Sequence, residues 1–174
     1  GLPVLKLAKK RGVEIATIAE GKAISVCNEA GFPLTTMGSD ELKPYGEVAT
    51  KSALKTLKPK VLLIGCSTPI NWELEFAKAA QATGIPVMAC EDIWGGLTRL
   101  GTFVPDLALV IDEFRATEVM KDTERPFRIP PMVIGDIAST VDTSVPESAS
   151  EAERTFFAAT GGKTSIMIVP DNPD

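Results

Sequence analysis

Residues 60–92 read KVLLIGCSTPINWELEFAKAAQATGIPVMACED. Val61 to Ile64 is an unbroken apolar run, the pattern expected when helices cover both faces of a parallel sheet. Gly65 stops it, and Cys66, Ser67 and Thr68 form a small polar turn. Thr68 suits a helix N-cap and Pro69 the first helical position, where a missing N–H costs nothing. From there Ile70, Trp72, Leu74, Phe76, Ala77, Ala79 and Ala80 surround much of a helix. Glu73 and Glu75 fall in its early turns, where the helix dipole favours negative charge. Gly84 closes the helix, and Ile85 to Cys90 returns as a second buried strand. The unit is therefore a parallel strand–helix–strand, and the polar groups after Gly65 and after Cys90 share the carboxyl edge of one sheet. Open α/β folds bind ligands at that edge.

The same alternation extends outward from this unit. Leu2 to Arg11 predicts a helix stopped by Gly12, Val13 to Ala19 a strand, Lys22 to Ala30 a helix ended by Gly31, and Pro33 to Met37 a short strand. Glu47 to Leu57 has helical spacing and is broken by Lys58-Pro59. Beyond Asp92, Leu107 to Ile111 is a continuous apolar strand, and Phe114 to Lys121 follows it as a helix. The expected fold class is α/β: a doubly wound, Rossmann-like, mostly parallel sheet with right-handed crossovers.

The chain has 174 residues, and its 44% apolar content suffices for a real core. Lys plus Arg number 18 against 23 Asp plus Glu, a net charge of −5, with the cations scattered; this argues against a nucleic-acid partner. No run approaches the roughly 20 apolar residues of a membrane span, and no leader pattern opens the chain. Cys27, Cys66 and Cys90 show no CxxC spacing and histidine is absent. A disulfide framework or a metal site has little support, no cofactor is called for, and reduced thiols in a cytoplasmic setting are the expectation.

The two ends read as unfinished. A doubly wound domain usually opens on a strand, whereas this chain opens inside a helix. Residues 137–150, IASTVDTSVPESAS, are rich in Ser, Thr and Pro and read as a linker. Glu151 to Thr160, capped by Ser150 and closed by Gly161-Gly162, then leads into the apolar strand Ser165 to Val169. The expected division is a Rossmann-like domain over 1–137, a linker over 138–150, and a truncated second α/β domain beginning at 151–174.

Two stretches carry a family resemblance: VPDLALVIDEFRATEV from Val104 to Val119 and FRIPPMVIGDIAST from Phe127 to Thr140. Together they resemble the amino-terminal half of GT-B type glycosyltransferases and the related nucleotide-sugar epimerases. In that superfamily a Pro-Asp, apolar strand, acid and helix element precedes an Ile-apolar-x-Gly-x-Pro strand. Gly135-Asp136-Ile137 lacks that proline. The resemblance implies an acceptor-side domain that needs a missing carboxyl-terminal domain for its nucleotide-sugar and does not turn over alone. The family's catalytic groups lie in a first-strand turn that is missing here, and often include a histidine this chain does not have. No catalytic residue is carried over.

The candidate binding residues follow the three buried strands. Ser67 and Thr68, before a helix start, suit a phosphate or a sugar hydroxyl, against the plainer reading of a capping turn. Cys66 as a nucleophile has no histidine to activate it. Glu91, Asp92 and Trp94 precede the flexible Gly95-Gly96. An indole beside carboxylates suits a sugar, whose C–H face packs on the ring while its hydroxyls bond to the acids. The plainer reading makes Trp94 a core anchor and Asp92 a loop cap. Arg99, a few residues on, suits either a pairing with Asp92 or an anionic ligand. Asp112 and Glu113 suit acid and base roles or a cation, or Asp112 simply caps the following helix. The expected function is the acceptor-side domain of a glycosyltransferase-like or epimerase-like protein with a sugar or nucleotide-sugar ligand. The alternatives are a noncatalytic small-molecule or phosphate-binding regulatory module and a purely structural interaction domain.

Overall fold

In the computed structural model of the chain, residues 2–19, 22–32, 47–66, 72–91, 93–135 and 165–169 are described. In chain order they form α1 (Leu2–Lys10), β1 (Glu14–Thr17), α2 (Lys22–Glu29), α3 (Glu47–Leu57), β2 (Val61–Ile64), α4 (Trp72–Ala82), β3 (Val87–Cys90), a 3₁₀ turn (Gly96–Leu100), β4 (Leu107–Val110), α5 (Glu113–Met120), β5 (Met132–Val133) and β6 (Ser165–Val169). Six strands make one sheet in the order β1-β6-β2-β3-β4-β5. Every pairing is parallel, with Leu62 opposite Val87, Met88 opposite Leu107 and Leu109 opposite Met132.

The apolar runs divide by alternate residues into two cores, because successive side chains of a strand point to opposite faces. Leu62, Ile64, Val87, Ala89, Ala108 and Val110 pack on one face with Ala53 and Leu54 of α3, Trp72, Phe76, Ala77 and Ala80 of α4, and Val119 of α5. Val61, Leu63 and Leu109 pack on the other with Leu5 of α1, Cys27 of α2 and Phe32. Both faces of β2 are thus covered, which is why Val61 to Ile64 has no polar position. The helices change face between α2 and α3, so the sheet is doubly wound.

Three helix ends share one geometry. Gly12, Gly31 and Gly84 have φ of 72°, 71° and 77°. After each of them the next residue's N–H donates to a carbonyl five residues back: Val13 to Ala8, Phe32 to Cys27 and Ile85 to Ala80, at 3.0, 3.0 and 2.9 Å. This is the six-to-one bond of the Schellman motif, which occupies helix-end carbonyls and turns the chain sharply. At α1 and α4 it turns the chain straight towards the next strand.

Ser165–Val169, assigned from the sequence to a second domain, pairs on both edges within this sheet, with β1 on one side and β2 on the other. The physical reason is that an apolar parallel strand leaves two rows of backbone groups to satisfy, and an interior slot satisfies both. The expected strand at 33–37, the linker at 138–150 and the helix at 151–160 lie outside the described residues. So do the proposed N-cap Thr68 and Pro69. No helix among the described residues is long and apolar enough to cross a membrane.

Gly84 tests the turn geometry. A Cβ there meets no atom within 4 Å, so the penalty of Gly84→Ala is conformational alone. The left-handed backbone should make this variant about 1 kcal/mol less stable, measured by urea unfolding.

Candidate functional site

The carboxyl edge beyond β3 and β4 gathers several of the residues singled out by sequence. Glu91, the residue after β3, is fully buried, at 0% exposure. Its Oε1 and Oε2 each accept a hydrogen bond from Arg115 Nε at 2.9 Å. Its Oε1 also accepts the N–H of Leu97 at 3.2 Å. A carboxylate removed from water needs such partners, because its desolvation is otherwise uncompensated. Glu91 is therefore committed to the protein's own atoms.

Trp94 is not a core anchor. It is 55% exposed, and its indole stacks on Phe114, itself 61% exposed, with ring centroids 5.3 Å apart and an interplanar angle of 15°. Ile93 beside it is also exposed. Two elements hold this pair: the turn after β3 supplies Trp94 and the first turn of α5 supplies Phe114. Gly95 follows Trp94 with φ 81°, and its left-handed backbone admits the chain into the 3₁₀ turn. That turn is fastened below by buried Leu97 and Leu100.

Arginines fasten it at the sides. Arg125 Nη1 donates to the carbonyl of Leu97 at 2.7 Å. Arg99 donates to the carbonyl of Cys66, tying the turn to the end of β2. Arg125 is in turn oriented by Asp122, whose Oδ2 accepts Nε at 2.7 Å and whose Oδ1 accepts the backbone N–H groups of Glu124 and Arg125. The hydrogen bond from the Arg125 side chain, opposed by some desolvation, holds the Asp122 carboxyl below the usual carboxylate range.

Asp112 and Glu113 have different local roles. Asp112 is the N-cap of α5, with extended backbone and Oδ1 accepting the N–H of Arg115 at 2.7 Å. Glu113 is exposed in the first turn of α5, where the dipole favours its charge. The capping reading of Asp112 thus describes what it does here. Ser67, Thr68 and Asp92 lie outside the described residues. At the strand ends where the helices change face, Cys66 is buried. Thr17, at the end of β1, is buried there with its Oγ1 lacking a hydrogen-bond partner among the described residues. The cysteines form no disulfide, and burial pushes the Cys27 thiol up. No group of three His, Cys, Asp or Glu side chains among the described residues is placed to hold a metal ion.

Phe114, Arg115 and Arg125 escaped the sequence reading. Phe114 carries a faint signal: an aromatic in the first helical turn, outside the Ala116 and Val119 stripe that packs inward. The arginines' contacts with the site carry none, because Glu91 lies 24 residues from Arg115 and Leu97 lies 28 residues from Arg125.

No family model, curated protein or solved structure matches the chain. The class, an α/β domain of Rossmann-like character, rests on the sheet order, the parallel register and the helices on both faces.

Two substitutions test the local roles. Asp112→Ala should lower stability by about 1 kcal/mol through loss of the cap, read from thermal unfolding. Asp122 has a depressed folded pKa, so its contribution is present above the unfolded-state pKa and lost as pH falls through the lower folded value. A carboxyl titration by NMR should find its midpoint below the usual carboxylate range, and Asp122→Asn should flatten that part of the stability curve.

Proposed function

We propose that this chain is the acceptor-side domain of a glycosyltransferase-like or sugar-nucleotide epimerase-like protein, binding a sugar at the carboxyl edge of its sheet and not transferring it alone. The observation that carries this reading is the stacked, exposed Trp94–Phe114 pair held at the ends of two buried parallel strands. Exposed aromatic rings held in fixed orientation offer a flat apolar surface of the kind that the C–H face of a pyranose packs against, while hydroxyls at its rim need acceptors. Glu113 provides an exposed carboxylate next to Phe114. The stretch VPDLALVIDEFRATEV, which resembles the GT-B pattern, is the one that folds as β4 and α5 and delivers Phe114.

One observation favours a second reading, a noncatalytic binding or regulatory module. Glu91, a candidate partner for sugar hydroxyls, is ion-paired, and Asp112, a candidate acid or base, caps a helix, so two of the candidate acids are already engaged.

The experiment is a titration of the purified chain with monosaccharides, disaccharides, nucleotide-sugars and inorganic phosphate, followed by calorimetry and tryptophan fluorescence. A saccharide should bind, and Trp94→Ala should weaken it about tenfold, or ~1.4 kcal/mol, with unfolding unchanged because the side chain is exposed. Phosphate binding without any saccharide binding would favour the regulatory module. No response to any ligand, or a collapse of the fold on Trp94→Ala, would remove the sugar-binding reading.

A further inference from the structure

We infer that the buried Glu91–Arg115 ion pair is a positioning device: it sets Trp94 against Phe114 and so builds the aromatic platform. This deepens the reading above and rests on it for the platform's use, though not for its assembly. Glu91 stands three residues before Trp94, and Arg115 immediately follows Phe114. The pair therefore joins the two chain segments that carry the rings.

Neither ring is buried, so core packing does not orient them. The atoms beneath them are fixed instead. Glu91 has no solvent exposure and Arg115 only 13%, and the carboxylate spans both segments by accepting from Arg115 Nε and from the Leu97 N–H. Asp112 fixes the backbone of Arg115 at 2.7 Å, and Arg125 fixes the carbonyl of Leu97 at 2.7 Å. A buried ion pair is weak evidence of stabilisation, since apolar side chains of similar volume often serve as well. What it supplies here that an apolar pair does not is direction: two charged groups with defined donor and acceptor geometry lock the register between the post-β3 turn and α5. Glu91 and Arg115 act through Trp94 and Phe114 and are positioning residues.

The test uses the full chain with Trp72→Phe, which leaves Trp94 as the single indole, since the sequence holds two tryptophans. Into it are placed Glu91→Gln and, separately, the double change Glu91→Met with Arg115→Met, which keeps volume while removing both charges. Near-ultraviolet circular dichroism and acrylamide quenching report Trp94, thermal unfolding reports the fold, and saccharide titration reports the platform. Both variants should fold cooperatively, lose the Trp94 dichroism, expose the indole to quencher and bind saccharide about tenfold more weakly. A folded variant whose Trp94 signals match the parent would overturn the inference. Failure of both variants to fold would also overturn it, by making the pair a folding element. If the Trp94 signals collapse while even the parent binds no saccharide, the positioning role stands and the sugar-binding reading falls.

Discussion

The whole molecule depends on the burial of β2, β3 and β4 between two layers of helix. Alternate side chains of these strands enter opposite cores, with Leu62, Ile64, Val87 and Ala89 on one face and Val61, Leu63 and Leu109 on the other. Covering both faces forces the polar work of the chain out of the strands and into the turns at their ends. It also forces parallel crossovers, so that every strand of the sheet points its carboxyl end the same way. The gathering of polar groups at that edge is a by-product of how the core is closed.

What distinguishes this edge is how firmly one turn is fastened. Residues 93–100 are gripped through Leu97 by Glu91 on its N–H and by Arg125 on its carbonyl, through Arg99 by the carbonyl of Cys66, and through Leu97 and Leu100 by the core. A turn so held carries the exposed Trp94 and Ile93 on a backbone fastened at several points. Preorganisation of that kind lowers the entropic cost of taking up a ligand. The same fastening removes Glu91 from direct contact with any ligand. Glu91, three residues before Trp94, thus belongs to the structure beneath the turn.

Much of the fold was legible because it depends on local signals. The helix over 47–57 and the strand over 61–64 match their expected bounds, since apolar spacing and the Lys58-Pro59 break are read within a few residues of one another. Gly12, Gly31 and Gly84 mark helix ends for an equally local reason, their positive φ. The capping role of Asp112 was also visible, a short polar side chain directly before a helix. The place of Ser165–Val169 was not. Its apolar run announces a buried strand but carries no information on its neighbours, and the interior slot between β1 and β2 is a choice among distant partners.

The sequence alone determined the element types, the parallel α/β class and the edge to which the polar groups go, because periodicity, glycine and proline act over one or two turns of chain. Only the tertiary structure decided what those groups do. It buried Glu91 on an arginine 24 residues away, turned Arg99 towards a carbonyl 33 residues back, and laid Trp94 in the open against Phe114. Charge pairing and ring stacking join side chains whose separation along the chain bears no relation to their distance in space, so no local pattern encodes them.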